Sequence, residues 1–227
     1  MRELFHELDK LKKRILYLGT LVEESMQNAY KAFADHDLLL AAVVKEKDDH
    51  IDEVEIQVEE KCLQILALQQ PVASDLRFVV TVLKINNDLE RIGDLSVKIA
   101  DKILLLDNVD RQGEQRHAIV VPEEFNDMFQ KTIWILRKCL DAFVDEDVDL
   151  AYKVCIWDDE IDAAKLHIRQ KLEEILKQDP SQHVYLALLL SVSRSLERAA
   201  DHCTNIAEDV IYMMQGRIIR HDLGEIS

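Results

Sequence analysis

Carboxylates in repeated pairs are the chemistry this chain carries most plainly. In Asp88-Leu89-Glu90-Arg91-Ile92-Gly93-Asp94, two of them, Glu90 and Asp94, stand four residues apart. The segment Ser195-Leu196-Glu197-Arg198-Ala199-Ala200-Asp201 repeats the arrangement with Glu197 and Asp201. On an α-helix that spacing puts both groups on one face, one turn apart. Like charges so placed weaken a helix by roughly 0.2–0.5 kcal/mol per pair. A cost met twice, in nearly the same local sequence, points to multivalent cation binding. All-oxygen donors suit Mg²⁺, Ca²⁺, Mn²⁺ or iron, whereas Zn²⁺ ordinarily takes His or Cys as well. The alternative is an acidic stripe that is simply solvated.

A second set of acids repeats too. Asp48-Asp49-His50-Ile51-Asp52 recurs as Asp158-Asp159-Glu160-Ile161-Asp162. The chain therefore reads as a tandem duplication of a unit about half its length, too few copies for a solenoid. Two similar lobes are expected. The candidate ligands are Asp48, Asp52, Glu90 and Asp94 in the first, and Asp158, Asp162, Glu197 and Asp201 in the second.

Long helices must position these groups. The chain has 227 residues, 48% of them hydrophobic, with only 5 Gly and 3 Pro. That composition excludes global disorder and a turn-rich all-β fold. Apolar residues recur at helical spacing throughout. A first helix is expected to run to about Asp35, and Asp37 can cap a second with its seam on Val44, Ile51, Val54, Val58, Cys62 and Ile65. A third spans about Ser74–Leu106, a fourth Glu123–Asp145, a fifth Val148–Gln178 and a sixth Gln182–Gln215, ended by Gly216. The fold class is all-α, as two tandem three-helix bundles. The expected domains are 1–110 and 123–220, joined by a linker, 111–122, that contains Gly113.

The register of the acids follows from the turns. In an antiparallel hairpin both arms rise equally per residue. Asp52 with Glu90, and Asp48 with Asp94, are both centred on Pro71. Asp162 with Glu197, and Asp158 with Asp201, are both centred between Asp179 and Pro180. Each pair should therefore lie level with its opposite number, and if all four point the same way they form one acidic patch per half.

The net charge of −16 disfavours nucleic acid and anionic lipid as partners. Four cysteines (Cys62, Cys139, Cys155, Cys203) form no CxxC and lie in apolar helical stretches, as expected of buried thiols in a reducing cytoplasm. Met1–Glu7 lacks the apolar stretch of a secretory signal. Glu3-x-x-His6 and Glu114-x-x-His117 are poorly placed for a ferritin-like di-iron site. His202 reads as a surface or supporting histidine, and Arg91 and Arg198 as partners in helix-surface ion pairs. No Walker loop, G-x-S-x-G or plausible nucleophile arrangement is present.

Beyond the acidic repeats, Gln69-Gln70-Pro71-Val72-Ala73-Ser74-Asp75-Leu76-Arg77, then Leu89–Asp94, then Leu196–Glu208, occur in order on a duplicated helical chain. From about Leu4 to His221 the sequence resembles the PhoU family. The resemblance implies metal clusters at the E/D-x-x-x-D pairs and adds Asn205, one turn beyond Asp201, to the metal positions. It implies a cytoplasmic negative regulator of phosphate uptake and of the phosphate-starvation response. The implied partners are the ATPase subunit of a Pst-type phosphate ABC transporter and a phosphate-regulon sensor histidine kinase. The membrane is then reached only through those partners, and a homo-oligomer (dimer) is expected. Cofactors would be divalent or trivalent ions (iron, Zn, Mg, Mn or Ca), and no enzymatic role is implied. Two positions depart from the family pattern in the first half: Lys98 stands where Asn is usual and Leu95 where His is usual. The Lys98 ammonium can compete with a cation there. In the second half Ser195 replaces the usual Asp, and Ala199-Ala200 the usual Ile-Gly. A metal-dependent hydrolase or metal-storage bundle is the alternative reading.

Overall fold

The computed structural model of the chain describes residues 2–112 and 121–217. Gly113, the Glu114/His117 pair, most of the expected linker and His221 lie outside the described residues. Those described contain α-helices and one 3₁₀ turn, with no β-strand.

Helix α1 (Arg2–Asp35) buries Leu11, Ile15, Leu18, Val22, Met26, Ala29 and Phe33 along one stripe. It ends at His36, whose φ of 52° takes the left-handed region, and the Asp37 N–H turns back to the Ala32 carbonyl at 3.0 Å. The Asp37 carboxylate then accepts the Leu40 N–H at 3.0 Å and starts α2 (Leu38–Glu46). The second half repeats this corner. There α5 (Glu124–Asp145) ends at Glu146, φ 55°, Asp147 N–H returns to the Ala142 carbonyl, and the Asp147 carboxylate accepts the Leu150 N–H at 2.9 Å to start α6 (Val148–Gln178).

The expected single second helix is in fact two. At Lys47 the ladder slips to a three-residue bond, His50 N–H to Lys47 carbonyl at 3.2 Å, and α3 (Asp48–Gln69) begins. The break puts Asp48 and Asp49 in the first turn of α3. In α6 the equivalent Asp158 and Asp159 lie mid-helix, and the ladder runs through. The chain turns at Gln70 (φ 44°) and Pro71 into α4 (Ala73–Gln112). In the second half Asp179 accepts the Ser181 N–H at 3.1 Å, capping the 3₁₀ turn Pro180–Gln182 before α7 (His183–Gln215). Gly216, φ 68°, closes α7 by donating to the Tyr212 carbonyl at 2.8 Å.

α1, α2–α3 and α4 pack together, as do α5, α6 and α7. The most extensive contact joins the halves along α4 and α7, and α1 also meets α5. α4 and α7 run antiparallel. Arg77 donates to the Met213 carbonyl at 3.2 Å, Lys84 meets Asp209 at 2.7 Å, and Asp88 meets His202 at 2.8 Å, partners falling in number as α4 rises. Aromatic rings seal the seam: Phe33 against Phe125 and Phe129, and Phe78 stacked on Phe143.

Removing either capping carboxylate, by Asp37→Ala or Asp147→Ala, is expected to lower stability by about 0.5–2 kcal/mol. Urea unfolding should show an earlier midpoint with an unchanged slope in both variants.

Candidate metal centre

The first patch spans the α3–α4 hairpin. Asp48 and Asp52 come from α3, Glu90 and Asp94 from α4, and the two pairs face one another. Burial first, then the charges of Asp52, Asp94 and Glu90, push the Asp48 carboxyl up to about 6. Burial and Asp94 also raise Asp52. Glu90 is raised by burial and then Asp94, against the pull of Arg91. The helices approach closely at Gly93: a Cβ there would lie 3.4 Å from Ile51 Cγ2 and 3.6 Å from Asp48 Oδ1.

The α6–α7 hairpin builds the second patch the same way. Asp158 is pushed up to about 7, by burial first and then by Asp201, Asp162, Asp159 and Glu197. Asp201 is raised by burial, Glu197 and Asp162. The levelling expected from the turn positions therefore holds in both halves, and each set of four shares a face.

These are open acidic fields rather than closed cages. Among the described residues no group of three or more His, Cys, Asp or Glu side chains is gathered closely enough to hold a metal ion as the side chains stand. The donor chemistry still fits a hard cation. Each patch offers only carboxylate oxygens from two helices, in a state of mutual repulsion that a multivalent ion or protons relieve.

Protein cations already reach both patches. Arg91 lies 3.3 Å from Glu90 and 3.4 Å from Asp94, and Lys98 lies 3.5 Å from Asp94. In the second patch Lys165 donates to Glu197 at 2.7 Å. Lys165 escaped the sequence reading, although its position three residues after Asp162 put it on the same helix face. Aligned on Asp48 and Asp158, its counterpart in the first half is Glu55, an acid. Burial, Glu59, Glu90 and Asp52 all raise Glu55, and its carboxylate accepts the Asn86 amide at 2.9 Å. The first patch thus holds an additional carboxylate where the second holds an ammonium.

Asn205, one turn beyond Asp201, has a partner on the other half of the chain. Its amide nitrogen donates to Asp88 Oδ1 at 3.3 Å, and His202 Nδ1 meets the same oxygen at 2.8 Å. Asp88 is nearly buried, so this trio pins α7 to α4 across the two halves. The sequence reading did not single out Asp88, because its partners lie in the other half of the chain. The four cysteines are free and buried, and burial pushes the Cys62 and Cys155 thiols up to about 12.

The chain matches the family model described as the PhoU domain twice, over residues 15–103 and 125–210. It is 37% identical over 217 residues to the phosphate-specific transport system accessory protein PhoU homolog 1 of Thermotoga maritima, covering 96% of this chain and 91% of that protein. It is 32% identical to the phosphate-specific transport system accessory protein PhoU of Escherichia coli K12, covering 96% of this chain and 88% of that protein. The crystal structure of PhoU from Pseudomonas aeruginosa superposes with a TM-score of 0.86 at 35% identity, covering 93% of this chain and 99% of that one.

The raised carboxyls set a pH dependence. A group that binds its proton more tightly when folded favours the folded state until pH rises through the folded pKa. Between about pH 4 and pH 7 the metal-free protein should therefore lose stability as Asp48 and Asp158 ionise. Thermal melts in chelator are expected to give a higher midpoint at pH 5 than at pH 8, and Asp158→Asn should narrow the gap by raising the midpoint at pH 8.

Proposed function

The chain belongs to the PhoU family, and from that membership we propose that it is an accessory protein of phosphate-specific transport, acting as a negative regulator of phosphate uptake and of the phosphate-starvation response. The observation that carries this reading is the likeness, over nearly the whole chain, to proteins named for that transport system. In this role the protein works in the cytoplasm as an adaptor between the ATPase subunit of a Pst-type transporter and a sensor histidine kinase. It reaches the membrane through them; among the described residues no helix is long and apolar enough to cross one. It works as a homo-oligomer.

The carboxylate patches are the proposed metal sites of this adaptor. Asp48, Asp52, Glu90 and Asp94 would hold a cation in the first half, and Asp158, Asp162, Glu197 and Asp201 in the second. A bound multivalent ion would neutralise the repulsion and tie the two arms of each hairpin together. Asn205, whose amide nitrogen donates to Asp88, is the further position that the family likeness adds to the second site. The role is regulatory rather than enzymatic: the Cys62 and Cys155 thiols are buried and pushed up, which makes them poor nucleophiles.

Three measurements test this. Deleting the gene should switch on phosphate-starvation reporters in phosphate-rich medium, and a normal response to phosphate would end the regulatory reading. Elemental analysis after native purification should find metal in the wild type and a clear loss in Glu197→Ala/Asp201→Ala; equal content in both would remove the second patch as a native site. Lys165→Met, which takes away the competing ammonium, is expected to strengthen divalent binding at the second patch several-fold, on the order of one lost ion-pair competitor.

A further inference from the structure

One groove runs against the acidic character of the chain. It is a broad, largely open groove between α1 and α3, of ≈ 490 Å³. Lys10, Lys13, Arg14 and Tyr17 line it from α1, and Gln57 and Lys61 from α3. The α1 residues recur at three- and four-residue steps and so form one stripe. Four of the six lining residues are cationic and none is acidic, in a protein of net charge −16.

Two carboxylates stand at the rim. Glu7 pairs with Lys10 at 2.9 Å and with Lys61, and Asp9 pairs with Lys13 at 2.7 Å. Hydrogen bonds from Lys61 and Lys10 hold the Glu7 carboxyl down at about 2, so these cations already stabilise an anion. Arg14 has no acidic partner among the described residues. At the far end the Tyr17 hydroxyl meets His50 Nε2 at 3.0 Å, which fixes the ring against α3.

The duplication supplies an internal control. Aligned on the twin caps Asp37 and Asp147, Lys13 and Arg14 correspond to Glu123 and Glu124, Tyr17 to Asp127, and Lys61 to Lys171. In the second half three of the lining positions are acids and Lys171 pairs with one of them, Glu124, so no cationic stripe forms there. The basic groove is therefore particular to the first half and no by-product of the repeated scaffold.

We propose that the α1–α3 groove is a binding site for a chain of two or more phosphate groups, held by Arg14, Lys13, Lys10 and Lys61. A planar guanidinium suits bidentate phosphate recognition and the ammonium groups add point charges. A groove of this size is roomier than a single orthophosphate needs. The chemistry is shared by inorganic condensed phosphate and by the phosphate tail of a nucleotide. The site depends neither on metal at the carboxylate patches nor on the regulatory role.

Calorimetric titration of the full chain with sodium tripolyphosphate, ATP and orthophosphate, without added metal, tests the site. Tripolyphosphate should bind more tightly than orthophosphate and lose affinity as salt is raised. Lys13→Glu/Arg14→Glu should weaken binding about tenfold or more. The same charge change placed elsewhere, Lys31→Glu/Lys153→Glu, should weaken it less than about threefold, as a long-range effect only. Arg14→Gln, which leaves the Lys13–Asp9 pair intact and is milder on folding, should still cost several-fold. ATP binding tighter than tripolyphosphate identifies a nucleotide ligand, and equal or weaker binding identifies the inorganic chain. Absence of tripolyphosphate binding at millimolar concentration, or equal loss in both double variants, overturns the proposal.

Discussion

Apolar burial along α4 and α7 holds like charges where electrostatics alone would not keep them. Leu89, Ile92 and Ile99 on α4, and Leu196, Cys203 and Ile206 on α7, are fully buried on the same helices that carry Glu90, Asp94, Glu197 and Asp201. Burying one such Leu or Ile contributes roughly 1.5–3 kcal/mol. An acidic pair one turn apart costs only tenths of that, roughly 0.2–0.5 kcal/mol. The core therefore sets helix register, and the carboxylates take whatever spacing it dictates. Burial first, and then their mutual repulsion, shows in the raised Asp48 and Asp158 carboxyls. The antiparallel hairpin decides which charges must share a face.

What could be read from the sequence was what local chemistry determines. Asp37 announces itself as a cap, Gly216 as a helix stop, and Pro71 as the centre of the first hairpin, because each acts within a few residues of backbone. The acidic pairs could be placed level from the turn positions, since rise per residue is nearly constant, but whether they faced one another depended on how the helices pack. Groups whose partners arrive from a distant helix were less legible. Asp88 looked like one more acid in an acidic motif, and only the α4–α7 contact gives it His202 and Asn205. The Asn205 contact with Asp88 was hidden for the same reason. The break at Lys47 was also hidden: no Pro or Gly stands there, and it shows only in the backbone, as a ψ of −11° and the slipped hydrogen bond.

The two halves share a backbone plan and differ in charge. The first patch gains Glu55 and meets its cations, Arg91 and Lys98, on α4. The second receives Lys165 from α6, on the opposite arm of its hairpin. Helices alike in their buried seams thus present patches of unlike electrostatics. The core positions are constrained by packing, whereas the exposed faces are free to change sign at little cost in stability.

Joining the repeats in one polypeptide has a further consequence. In a dimer of identical half-length subunits, every substitution would be copied to both sides of the two-fold axis. A cationic trough on one flank would then force the same trough on the other. Here the two flanks are encoded separately: Lys13 and Arg14 stand on one, Glu123 and Glu124 on the other. Fusion therefore frees the molecule from symmetry, letting a scaffold of two equivalent units offer different faces to different neighbours.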